Sequence, residues 1–149
     1  MWNVKHFNEL TNDEFYAIMH LRVAIFVVEQ NRIYQEIDEN DKGALHLFKT
    51  DADGNIIAYA RIFTIDNGQK VTFGRVAISK NKRGQGLGGE LLHQIMKAIA
   101  EYYPGLPITI EAQQQVQGYY RKADFHTEGD TFIYQHTPHI KMVHSPLTK

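Results

Sequence analysis

Gly84-Gln85-Gly86-Leu87-Gly88-Gly89 places four glycines in six positions, directly after Lys80, Lys82 and Arg83. Glycines let consecutive backbone N–H groups close around an anion, and a helix N-terminus beyond them adds a favourable dipole, so the stretch reads as a phosphate cradle. Its plainer alternative is a flexible solvated turn. The same residues also satisfy the glycine spacing of dinucleotide folds, with Glu111 at the end of the next strand where a ribose-binding acid would stand. Two features oppose that nucleotide or NAD reading: Lys80-Asn81-Lys82-Arg83 separates the first glycine from its strand, and too few βα units follow Glu111 for a doubly wound sheet. A P-loop fails because no Gly-Lys-Ser/Thr follows. His136, His139 and His144 form no recognised ligand motif with carboxylates, so no metal site is expected.

These groups need a scaffold. Trp2, Val4 and His6 alternate with polar residues as in a short strand. Thr11-Asn12-Asp13-Glu14 matches a capping box, which starts a helix at Thr11; its apolar face of Phe15, Ile18, Met19, Ile25 and Phe26 carries it to about Val28. Ala44 to Thr50 and Ile56 to Ile65 flank an Asp/Gly turn, and Asp66-Asn67-Gly68 supplies another before Val71 to Ser79, predicting an antiparallel meander. Beyond the glycines, Leu91, Leu92, Ile95, Met96, Ile99 and Tyr102 share one helix face, and Pro104-Gly105 ends it. Ile108-Thr109-Ile110 then reads as a strand parallel to Val71–Ser79, because a helical crossover joins them. Val116, Tyr119, Tyr120 and Ala123 have the spacing of a short helix, and His126 to Tyr134 and Ile140 to His144 form the last strands. The expected fold class is mixed α/β, a single domain over residues 1–149 with a mostly antiparallel sheet, one parallel strand pair and flanking helices.

Composition narrows the function. The 149 residues are 43% hydrophobic and 22% charged, with 16 Lys+Arg against 17 Asp+Glu and a net charge of -1. That balance is of a soluble globular chain and argues against binding nucleic acid through bulk positive charge. Zero cysteines exclude disulfides, Cys zinc sites and thiolate nucleophiles. No secretory pattern or span of ~20 apolar residues is present, so a cytoplasmic protein without a membrane segment is expected.

Val76-Ala77-Ile78-Ser79, followed after a spacer by Arg83-Gly84-Gln85-Gly86-Leu87-Gly88, resembles the coenzyme-A motif of the GNAT superfamily of acyl-CoA-dependent N-acyltransferases: Arg or Gln, two residues, Gly, one residue, then Gly or Ala. Gln113, Val116, Tyr119, Tyr120 and Phe125 resemble the second motif of that family. Leu21-Arg22, Phe26-Val27-Val28-Glu29-Gln30, Tyr59-Ala60-Arg61, Gly74-Arg75-Val76, Ala112-Gln113 and Pro138-His139-Ile140 are similar to its ElaA-like branch. Three positions depart from the pattern: Lys80 replaces a frequent proline, Gln113 a frequent asparagine, and Asp124 the glycine before Phe125. Asp tolerates positive φ better than most residues, so Asp124 can still make that turn.

The resemblance implies the GNAT acyl-CoA N-acyltransferase fold, with Val71–Ser79 and Ile108–Ala112 splayed at a bulge. It implies acetyl-CoA as acyl donor, with N–H groups of Arg83, Gly84, Gln85, Gly86, Leu87, Gly88 and Gly89 on its pyrophosphate. Backbone at Val76, Ala77 and Ile78 would bind pantetheine, and Gln113 belongs to the same set. Direct attack by a primary amine in a ternary complex follows, Tyr120 donating a proton to the departing thiolate. The amine must be neutral to attack, so a base is needed; Glu111 is the candidate, with Glu29 and His46 behind it. Glu29 and His139 are the expected acceptor contacts. Arg61 and Arg75, inside apolar strands, call for ion-pair partners or a ligand phosphate. Gln30 to Lys42, with Glu36, Asp38, Glu39 and Asp41 against Arg32 and Lys42, reads as a solvated loop; as a wall of the site its acidity would instead draw a cationic amine. Exposed edge strands allow a homodimer. A noncatalytic acyl-CoA-binding module is the alternative of a different class.

Overall fold

The computed structural model describes all 149 residues. Strand β1 (Trp2–His6) leads through a 3-10 turn to helix α1 (Asn12–Val23). Thr11 caps α1: its hydroxyl accepts from the Glu14 N–H at 3.0 Å while Glu14 accepts from the Thr11 N–H at 2.9 Å. The helix does not simply stop. It widens into π turns over Ala24–Glu29, with Gln30 N–H bonded to Ile25 O and Arg32 N–H to Val27 O five residues back. Such widenings displace side chains from ordinary helical spacing. A short helix α2 (Asn40–Gly43) precedes β2 (Leu45–Thr50), β3 (Ile56–Ile65) and β4 (Lys70–Ile78); then come α3 (Leu87–Tyr102), β5 (Ile108–Gln113), α4 (Gln117–Arg121), β6 (His126–Tyr134) and β7 (Thr137–His144).

One seven-stranded sheet runs in the order β1-β2-β3-β4-β5-β7-β6, antiparallel except where β4 meets β5. This is not a doubly wound sheet, so the dinucleotide reading falls on topology. Leu45, Leu47, Ala58, Ala60, Ile62, Val71 and Phe73 pack on one face against Leu91, Leu92, Ile95 and Ile99 of α3. Phe48, Tyr59 and Ala77 pack on the other against Ile18, Met19, Ile25 and Phe26.

Strand β4 changes faces. Val71 and Phe73 point to α3, whereas Ala77, also odd-numbered, points to α1. Alternation forbids this unless a residue is inserted. The insertion is a bulge: Arg61 lies opposite Gly74 and Tyr59 opposite Ala77, and Arg75 adopts φ 51°. Beyond it β5 has left: the parallel pairing is confined to Val71 and Ile108.

Three details differ from expectation. A 3-10 turn, Gln114–Val116, precedes the last helix, which spans only Gln117–Arg121. Strand β7 begins at Thr137, making a hairpin with β6 whose tip residues Gln135 and His136 have φ of 48° and 67°. Most consequential, the acidic stretch is not a solvated loop: Glu36 is 4% and Asp41 2% exposed. Asp124, at φ 68°, does make the turn expected of it.

Candidate functional site

Where β4 and β5 part, a cleft of about 660 Å³ opens. Its lining takes Thr72 to Val76 and Ile78 from β4, Thr109 to Gln113 from β5, Gly88 from α3, Tyr119 and Tyr120 from α4, Gln30, Arg32 and Tyr34 from the segment that ends the π turns, and Tyr134 and His139 from the β6–β7 hairpin. The bulge makes the cleft, since it turns the edge of β4 away from β5.

The glycine loop reaches this lining at Gly88. Gly84 and Gly86 have φ of 78° and 81°, a region side-chain-bearing residues avoid, and Gly86 caps α3 in that conformation without a side-chain partner. None of the N–H groups from Arg83 to Gly89 donates within the protein, and a Cβ at Gly84, Gly86 or Gly89 would meet nothing within 4 Å. A row of free donors, an open surface and a sixteen-residue helix behind it suit a diphosphate. The loop's own side chain is engaged elsewhere: Arg83 forks onto Glu29 at 2.7 and 2.9 Å and donates Nε–H to Ile78 O at 3.1 Å. Glu29 therefore lies against this loop, outside the cleft lining, and the Arg83 hydrogen bonds hold its carboxyl below the usual range.

Tyr120 packs against Tyr119, Phe73 and Phe125 and is 7% exposed. Burial pushes its hydroxyl pKa up, with Tyr119 adding to the shift, which keeps the O–H protonated. That hydroxyl bonds to no protein atom. The sole sealed side-chain nitrogen or oxygen without a partner is Arg61 Nε, so the Tyr120 hydroxyl must reach open space, and the cleft is what it borders. Tyr119 differs: its hydroxyl donates to Gly88 O at 2.6 Å and ties α4 to the start of α3.

Glu111, Gln113 and His139 share one face of the sheet, Gln113 lying directly across from His139. Glu111 is exposed to the cleft and joins no ion pair; Lys141, its cross-strand neighbour, pairs with Glu128 at 3.0 Å. Gln113 donates to Gln30 Oε1 at 3.1 Å. His139 is 5% exposed, between the rings of Phe132 and Tyr134. Its Nδ1 lies 2.7 Å from Thr137 O. A carbonyl only accepts, so Nδ1 carries the proton of that bond and Nε2 is the ring nitrogen left without a protein partner. His46 is elsewhere, fully buried with one ring nitrogen on Tyr59 hydroxyl and the other on Asp41 O, and it lines no part of the cleft. His136 and His144 lie apart from His139, at the hairpin tip and beside Phe125.

The acidic residues are consumed by arginines. Arg22 binds Glu36 at 2.5 Å and Asp41 at 2.6 Å; Arg61 binds Asp38 at 2.6 Å and Asp41 at 3.0 Å; Arg75 binds Glu36 at 3.0 Å and Asp38 at 3.6 Å. Tyr34 also donates to Glu36. Arg61 and Arg75 thus find the partners their positions demanded. Arg75, at φ 51° in the bulge, makes these bonds from that conformation. Gln30, Arg32 and Tyr34, to which sequence reasoning gave no individual role although it weighed their segment as a wall of the site, line the cleft just beyond the π turns. Arg32, a lone buried cation within an acidic run, was the available signal.

Residues 10–145 match the family model described as an acetyltransferase (GNAT) domain. Protein ElaA of Escherichia coli (strain K12) is 33% identical over 144 residues, 95% of this chain and 94% of that one. Among solved structures, an acyl-CoA N-acyltransferase from Pseudomonas aeruginosa superposes with a TM-score of 0.91 at 34% identity, covering 97% of this chain and 99% of that one. E. coli ElaA superposes at 0.90 and 33% identity, covering 96% and 97%.

Proposed function

The chain belongs to the GNAT acetyltransferase family, and we propose that it transfers acetyl from acetyl-CoA to a primary amine by direct attack in a ternary complex. Acyl-CoA-dependent acyl transfer is the activity of the family; the acetyl donor, amine acceptor and residue roles are our reading. One observation carries it: a loop of free N–H donors and a bulged, unpaired strand edge open into one cleft with Tyr120 and Glu111.

In this reading N–H groups of Arg83, Gly84, Gln85, Gly86, Leu87, Gly88 and Gly89 hold the diphosphate, while the Arg83 side chain braces the loop against Glu29. Backbone of Val76, Ala77 and Ile78 lines the pantetheine arm, the Ile78 carbonyl already accepting from Arg83. The acceptor enters from the side of Gln113 and His139. Glu111 takes the ammonium proton, freeing the nitrogen lone pair. As the N–C bond forms and the C–S bond breaks, Tyr120 donates its proton to the leaving sulfur and regains one from the nitrogen through solvent. An N–H near the bulge faces the developing oxyanion. A cytoplasmic location accords with the donor, and β6, an edge strand with Ile133 69% exposed, is the edge we assign to homodimer pairing.

The test is thermal stability with acetyl-CoA, coenzyme A and NAD added separately. A ligand at 100 times its dissociation constant stabilises by about 2.7 kcal/mol. Acetyl-CoA and coenzyme A should raise the melting temperature and NAD should not; thiol release should then appear with some amine. A melting temperature indifferent to acetyl-CoA would sink the proposal.

A further inference from the structure

We propose that the acceptor is an amine that also carries a carboxylate, and that Arg32 is the group that reads it. This rests on the acyl-transfer reading and goes beyond it by naming the acceptor class.

Arginines and acids in the neighbouring network balance, Arg22, Arg61 and Arg75 against Glu36, Asp38 and Asp41. Arg32 is left over. It is 7% exposed yet joins none of the ion pairs. Its Nε–H donates to Gln135 O at 3.2 Å, one Nη1–H to Gln30 Oε1 at 3.3 Å, and its plane lies 4.5 Å from the Tyr34 ring centroid. Every partner is neutral. Nη2 has none, and it is not sealed from open space, on a residue that lines the cleft. A guanidinium buried without a counter-anion is costly, and an unused pair of N–H donors on a planar fork fits a carboxylate.

Position selects the acceptor over the donor as the source of that anion. Arg32 lines the cleft together with Gln30, Gln113, Tyr134 and His139 and is bonded to Gln135 O at the tip of the β6–β7 hairpin, whereas the free N–H groups belong to the loop that opens α3. The remaining anion in the lining without a partner is Glu111, which suits the ammonium of the same molecule. The apparent acidity of the stretch from Gln30 to Lys42 therefore misleads: folded, it offers the acceptor an uncompensated positive charge.

Matched probes test this. The common α-, β- and γ-amino acids and their carboxamides are compared as acceptors with acetyl-CoA, alongside spermidine and a lysine-containing peptide amide. Turnover should be confined to carboxylate-bearing amines, with carboxamides lower in kcat/KM by at least ~30-fold. Arg32→Met should lower the amino-acid rate by a similar factor, chiefly through KM, with acetyl-CoA affinity unchanged within about twofold. Arg32→Lys, which keeps the charge and loses the fork, should retain part of the preference for acid over amide and guards against misfolding of the Met variant. A second arm reads binding alone: N-acetyl amino acids and their carboxamides titrated calorimetrically on protein saturated with coenzyme A, where the acids should bind more tightly and lose that advantage in Arg32→Met. Carboxamides, spermidine or peptide acetylated as well as the acids would overturn the proposal. So would equal binding of acids and amides, or an Arg32→Met effect on acetyl-CoA affinity instead, which would assign the anion to a coenzyme phosphate. Failure of acetyl-CoA to bind at all would instead overturn the function proposed above.

Discussion

Tyr120 shows why a buried hydroxyl without a partner is informative. A buried tyrosine O–H usually finds a protein partner, and neighbouring Tyr119 does so through Gly88 O. The Tyr120 O–H has no protein partner and, kept protonated by burial, belongs to the lining of the cleft. Because burial raises its pKa, the group is a donor throughout the neutral range, the state a leaving thiolate needs. Tyr120→Phe keeps the ring contacts with Phe73 and Phe125. We expect kcat to fall by about 100-fold, within the range of general acid–base contributions, with the melting temperature and acetyl-CoA affinity little changed. Equal loss of affinity and turnover would make Tyr120 a binding residue. Glu111→Gln addresses the other proton: its loss should lie in kcat and shrink at alkaline pH, where the amine is already neutral.

Among the elements, β4 and the glycine loop create the site by departing from regular geometry. The bulge at Arg75 separates the strands; the left-handed Gly84 and Gly86 turn successive N–H groups outward. Gly86→Ala has room for its methyl group, so its penalty is conformational: about 1–2 kcal/mol for a side-chain residue held at φ 81°. Stability by denaturant titration should fall by that amount, and coenzyme A affinity by about tenfold as the N–H groups lose alignment. A neutral result on both would mean that the loop's conformation is not what binds. These elements were legible to different degrees. Strands β2, β3 and β4, the capping box and the crossover through α3 follow from periodicity and turn residues, which are local properties. The loop was legible because glycine spacing states its own conformational need. The bulge was expected from the family resemblance alone, since Gly74-Arg75-Val76 carries no local sign of the residue that β3 fails to match. The π turns were not legible, because the apolar spacing of Ala24–Glu29 also suits an ordinary helix. Glu29 and Arg83 were both picked out, but their mutual pairing spans 54 residues of sequence and could not be read from either.

At the scale of the molecule, the sheet separates an apolar face under α3 from an α1 face threaded by charge. This second face sets the pH dependence of stability. Burial lowers the pKa of His46, outweighing the Asp41 carbonyl and carboxylate that favour its charged form; Arg22 and Arg61 reinforce the drop, while the Tyr59 hydroxyl occupies Nδ1. The unfolded chain therefore binds this proton first, and stability begins to fall as pH drops below ~6.5, flattening once the folded pKa is passed. For Asp38 and Asp41 burial alone would raise the pKa, but hydrogen bonds and charge from Arg61 and Arg22 outweigh it and hold both below the ordinary range. Their contribution is complete above the unfolded value of ~3.9 and is lost as pH falls through the depressed folded values. The melting temperature should therefore decline in two stages between pH 7.5 and 3, and His46→Gln should abolish the upper stage alone. Asp41→Asn, which removes one of the two carboxylates that each of Arg22 and Arg61 binds, should destabilise by about 3–5 kcal/mol at neutral pH and reduce the lower stage. Arg61, Asp38 and Arg75 belong both to this network and to the cleft lining, so acid that breaks the network is expected to disturb the cleft. Coenzyme A affinity should then fall along the lower stage and stay level through the upper one, which parallel calorimetry and thermal denaturation across the same pH series would show.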